Sequence, residues 1–149
     1  MTLKIDTDKI LELIPEDKDT LLLLNDMSLL CKDPVYIGDY VAGLLDSKRT
    51  ILKNHTRDPE LFGGLSCFDR LPAFVPSEIV MRVYSFRFIV SVYMTKSLLF
   101  PVEGIKICLY PLIEWSELGV VPVYWYKLLV DHEVLLVTDE DMLDKIFDR

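Results

Sequence analysis

Three cysteines, two histidines and six glycines are all that this 149-residue sequence offers of the residues that usually build metal and phosphate sites. Cys31, Cys67 and Cys108 are odd in number and far apart, and no Cys-x-x-Cys occurs. This speaks against a disulfide framework and a cysteine zinc site. It predicts reduced, mostly buried thiols in a reducing compartment, the cytoplasm. Neither His55 nor His132 has a second His, Cys or acid at a recognised ligand spacing, so no metal is expected. Gly-x-x-x-x-Gly-Lys and Gly-x-Gly-x-x-Gly are both missing. Gly63-Gly64 precedes Leu65-Ser66-Cys67 and fits neither phosphate loop, so no cofactor is expected either.

Long uncharged apolar runs are also lacking. A membrane span needs about 20 predominantly apolar residues, and the best stretch, 79–100, carries Arg82, Arg87 and Lys96. The first six residues have no basic region followed by an apolar stretch, so no secretory signal is expected. Positive charge is scarce. The net charge is −8, against direct binding of nucleic acid or anionic lipid, which takes an excess of Lys and Arg. Acids gather in the first and last thirds, whereas residues 51–100 carry a small basic excess.

What is present is core material, with 51% hydrophobic residues. The length predicts one globular domain over 1–149. Its parts are a helical part to about residue 55, a loop over 56–77 and a sheet-rich part over 78–149. Thr7 predicts a capped helix over 8–13. A second helix follows Pro15, with Leu23, Leu24, Met27, Leu30 and Cys31 on one face. Asp33-Pro34 predicts the start of a third, whose stripe runs from Ile37 to Leu52. Gly38 and Gly43 weaken it, and Gly43 with Ala42 would admit a close backbone. Alternation over 84–93 and 105–110 predicts two strands. Residues 123–130 and 134–137 read as a hairpin, and Thr138 with Asp141 as a helix start. Helices first and strands after predict an α+β fold. N-terminal helices would pack on a three- or four-stranded, mainly antiparallel sheet with a C-terminal helix.

Catalytic candidates are few. Asp131-His132-Glu133 reads as a solvated turn, and Asp139-Glu140-Asp141 as the first turn of a capped helix. Cys67 would need His55 brought to it in space, and an inert buried cysteine is the plainer reading. Glu16-Asp17-Lys18 matches half of a metal-dependent nuclease core, but it opens a helix. Binding candidates are richer. The 56–77 loop is too apolar for a solvated loop and offers Phe62, Phe68, Arg70 and Phe74. Trp115 and Trp125 are aromatic anchors of the kind that dominate interfaces. The expectation is a non-enzymatic protein-binding module. It would be an inhibitor, adaptor or assembly subunit, of the sort a virus or phage directs at a host protein. Its partner would be a protein with a basic surface. The alternative is a small hydrolase or metal-dependent nuclease with an unrecognised site.

Overall fold

The chain is built on one six-stranded sheet in which every pairing is parallel, as seen in a computed structural model that describes residues 6–54 and 61–149. The strands are β1 Thr20–Leu24, β2 Thr50–Asn54, β3 Asp69–Arg70, β4 Phe88–Ser91, β5 Ile105–Cys108 and β6 Leu135–Leu136. Their order is β3-β2-β1-β4-β5-β6, that of the doubly wound α/β sheets. The helices are α1 Thr7–Glu12, α2 Met27–Leu30, α3 Pro34–Leu44, α4 Ser77–Val83, α5 Tyr124–Asp131 and α6 Glu140–Phe147.

The run Leu21-Leu22-Leu23-Leu24 explains the architecture. A strand of an open antiparallel sheet buries every second residue, but a strand covered on both faces must be apolar throughout. All five residues of β1 are buried. Leu22 and Leu24 join Val41 and Leu44 of α3 and Leu143 of α6 on one face. Leu21 and Leu23 join Ile10 of α1, Val80 of α4 and Leu129 of α5 on the other.

This corrects the α+β expectation. The fold is α/β, the sheet has six strands, and strands alternate with helices along the chain. The leucine run also satisfies a helical spacing with Met27 and Leu30, but β1 ends at Leu24. Asp26 then starts a separate short helix by accepting from the Ser28 and Leu29 amides. Helix α3 begins where Asp33 predicts, with its carboxylate accepting from the Tyr36 amide at 3.1 Å. It stops at Leu44, because Asp46 forms a turn by accepting from the Lys48 amide at 3.0 Å, and the chain re-enters the sheet as β2. The expected hairpin is instead helix, then strand. Trp125, Leu128 and Leu129 recur at helical spacing on the less exposed side of α5, and β6 pairs parallel with β5. Glu133 closes this helix with a left-handed φ of +62°, the place a glycine usually takes.

The apolar loop also folds into elements. Residues 63–67 form a 3-10 turn packed on α3, Asp69–Arg70 form the edge strand, and α4 starts at Ser77. The close approach falls at Gly38, not Gly43. A Cβ on Gly38 would stand 2.1 Å from the Phe62 carbonyl oxygen, whereas one on Gly43 would meet nothing within 4 Å. We therefore expect opposite effects of one substitution on one helix. Gly38→Ala should cost about 1–3 kcal/mol by overpacking. Gly43→Ala should stabilise by up to about 1 kcal/mol through helix propensity. Equal shifts in thermal denaturation would contradict this packing.

Candidate functional site

In a doubly wound sheet, ligands bind outside the carboxyl ends of the strands, where the strand order reverses. Here that point lies between β1 and β4, beside Asn25, Val92 and Tyr93. Trp115 sits over it. Its ring stacks on Tyr110, with centroids 4.8 Å apart, and meets Tyr93 edge-on at 5.1 Å. The indole Nε1 donates to the Tyr110 carbonyl at 3.0 Å. Between Asn25, Met27, Leu30, Val92, Tyr93 and Trp115 no room remains for a water molecule.

The segment carrying Trp115 is strapped down. Its backbone bridges to Cys31 in antiparallel fashion. The Ser116 amide donates to the Leu30 carbonyl at 2.9 Å, and the Ser116 hydroxyl to Leu29 and Leu30 carbonyls at 3.0 Å each. Tyr110 Oη donates to the Gly119 carbonyl and accepts from the Val121 amide. A side chain on Gly119 would strike the Leu30 carbonyl at 2.4 Å, so the strap lies directly on the end of α2. The amide-rich helix start after β1, which receives a phosphate in nucleotide-binding members of this architecture, already holds the Asp26 carboxylate. A second negative group would be repelled there.

Two lysines are enclosed, and both act as clamps. Lys18 Nζ donates to the Lys48 carbonyl at 2.8 Å and pairs with Asp69 at 2.8 Å, joining the starts of β1 and β3. Lys53, at the carboxyl end of β2, donates to the carbonyls of Asn54 and Ala73. Burial holds its ammonium below the usual lysine range, an effect partly offset by the Glu78 carboxylate. Glu78 in turn accepts from the Ser77 and Ser97 hydroxyls. Neighbouring Asn54 is buried, and its Oδ1 has no hydrogen-bond partner among the described residues.

The six binding candidates separate. Phe68 is buried, and half-buried Phe62 packs against the α3 face. Arg70 is exposed on the edge strand. Phe74 is 83% exposed at the tip of a turn that the Val75 amide closes onto the Pro72 carbonyl, beside the Ala73 carbonyl held by Lys53. Trp115 belongs to the strap. Trp125 is half-buried and stacks on exposed Tyr124 at 6.0 Å.

Of their neighbours, sequence reasoning weighs Tyr124 and Tyr126 but passes over the aliphatic residues. Leu118, Val120, Val123, Tyr124, Tyr126 and Val130 are all exposed, Val123 by 82%. Helical spacing was the available signal. Val123, Tyr124, Lys127 and Val130 share the outer face of α5, opposite Leu129.

The catalytic candidates are dispersed. His132 caps α5, with Nδ1 2.8 Å from the Leu128 carbonyl. Lys18 of Glu16-Asp17-Lys18 is the clamp described above. Cys67 is exposed, contrary to the expected burial, and His55 lies outside the described residues. Among the described residues, no three His, Cys, Asp or Glu side chains cluster as metal ligands, and no helix is long and apolar enough to cross a membrane. The chain matches no family model, no curated protein and no solved structure.

The thiols give two predictions. Burial pushes Cys31 up to about 11 and Cys108 up to about 12. In the native protein, maleimide should modify Cys67 alone, and all three after denaturation, as counted by intact mass. Early labelling of Cys108 would contradict its burial. Both native thiols hold their protons more tightly than the unfolded chain, where the value is 9.0. Their contribution to stability is therefore complete below pH 9 and lost as pH rises towards 11–12. Raised Tyr84 and Tyr93 act in the same direction, whereas lowered Lys53 and Lys106 oppose it. Denaturant midpoints should fall above pH 9, and less steeply in Cys108→Ala.

Proposed function

We propose that this chain is a non-enzymatic protein-binding module, acting as an inhibitor, adaptor or assembly subunit on a protein with a basic surface. The observation that carries this reading is the apolar strip on the strap and α5. Leu118, Val120, Val123, Tyr124 and Val130 are exposed within thirteen consecutive residues. Contiguous exposed apolar surface marks interaction sites. Leu29 extends the strip, because α2 is tied to the strap through Ser116.

Two further features support it. The crevice that would hold a small ligand is filled by the chain's own Trp115, Tyr93 and Tyr110. The strip is also edged by acids. Residues 114–133 contain Glu114, Glu117, Asp131 and Glu133 against Lys127 alone. Lys127 is partly compensated by Asp131 at 3.8 Å. An acidic rim around an apolar centre fits a partner with basic residues around its own apolar contacts, and it disfavours a second copy of this acidic chain. The exposed Phe74 turn is a separate, smaller anchor.

The test pairs stability with capture. Val123→Ser and Tyr124→Ser should each change stability by less than about 0.5 kcal/mol, as exposed substitutions do. The double variant should lose a stoichiometric partner that the native chain retains in affinity purification from its source cells. Retention should also weaken with salt. An unchanged set of captured proteins, or early melting of both variants, would count against the strip as the docking surface.

A further inference from the structure

Beside the strap, the first turns of α3 and the turn at residues 110–115 enclose a cleft of about 270 Å³. Tyr36 and Tyr40 lie along it, one helical turn apart, with rings parallel to within 3° and centroids 6.5 Å apart. Tyr36 is 64% exposed. Leu112 and Glu114 border the cleft from the strap side, Lys32 and Asp33 from the start of α3.

The charges of this cleft are unbalanced. Glu114 is exposed and has no hydrogen bond or ion pair among the described residues. Asp33 spends one carboxylate oxygen on the Tyr36 amide. Glu140 of α6 bears on Tyr40, whose hydroxyl is held protonated first by burial and then by that carboxylate. Two carboxylates, Asp33 and Glu114, thus line the cleft against one ammonium, that of Lys32, and a third, Glu140, stands at the Tyr40 hydroxyl. Tyrosine faces and a free carboxylate together attract an organic cation. A metal ion has no comparable claim, since no three ligand side chains cluster among the described residues.

We propose that this cleft receives an arginine side chain of the partner, stacked on Tyr36 and paired with Glu114. The guanidinium suits it better than an ammonium, because its plane can lie on a ring while its edge meets a carboxylate. The inference deepens the protein-binding reading and rests on it. Glu114 and Leu118 lie on the same strap, so an arginine in the cleft places the following apolar residues of a partner segment on the strip.

The test uses N-acetyl-arginine amide, with N-acetyl-citrulline amide as its uncharged isostere, followed by the ring resonances of Tyr36 and Tyr40. The arginine compound should shift both rings saturably, and citrulline should not. Glu114→Gln should weaken the response by about tenfold, as loss of one charge-assisted contact predicts. Tyr36→Ala, also exposed, should abolish it, with thermal stability unchanged in both variants. Equal shifts by citrulline, or full binding in Glu114→Gln, would overturn the proposal. No arginine response, with the strip variants still losing their partner, would overturn the arginine site alone and leave the docking surface standing.

Discussion

The structure depends on the burial of β1 from both sides. Four consecutive leucines leave no face of this strand for water, so helices must cover the sheet above and below. Parallel neighbours on both sides then follow from crossover connections, and the chain winds outward from β1 in two directions. The edges are left to β3 and β6, two residues each, too short to template pairing with another chain. Burial at this scale is compatible with a net charge of −8 because the acids sit in caps and exposed turns. Asp6, Asp26, Asp33 and Asp139 each cap a helix start, where the helix dipole favours them.

The same winding brings loops to the carboxyl edge and opens a crevice between β1 and β4. In this chain the crevice has become core. Trp115 packs against buried groups of both faces, and the aromatic cluster that would otherwise line a ligand holds the strap in place. Lys53 performs the equivalent service at the end of β2, where its buried ammonium fixes the Ala73 carbonyl beneath the Phe74 turn. A buried lysine reads in isolation as a catalytic group. Its two carbonyl acceptors explain it as a clamp.

Local chemistry was legible in the sequence, and the pairing of strands was not. Asp33-Pro34 marks the start of α3, Ile105–Cys108 alternates and is a strand, and the C-terminal helix begins within two residues of its expected position. Leu21–Leu24 fits a helix face by coincidence of spacing, and a four-residue apolar run does not distinguish buried strand from buried helix. Residues 123–130 are rich in β-branched and aromatic side chains, which favours strand, yet Trp125, Leu128 and Leu129 recur at helical intervals and tertiary packing decides for helix. That reversal changes the site. On a strand, Tyr124 and Tyr126 would share a face and Trp125 the other. On α5, Tyr124 joins Val123 and Val130 outside, and Trp125 turns partly in. Of the six residues singled out, Phe74 and Arg70 are on the surface, whereas Phe68 serves the core. Aromatic content alone could not separate them, since it marks cores and interfaces alike.

The plug and the outer strip are two sides of one segment, and this links the fold to the proposed role. The inner side of the strap is fixed by Trp115, the Ser116 bonds and the Tyr110 hydroxyl. The backbone that carries its outer side chains is therefore fixed by the fold itself. A flexible loop carrying the same residues would lose backbone freedom on binding, about 1–2 kcal/mol for each residue fixed. The strap has already given up most of that freedom in folding. Filling the crevice thus also fixes the backbone at the carboxyl edge of the sheet, beside which exposed Val123 and Tyr124 are tolerable because they are few and bordered by charge.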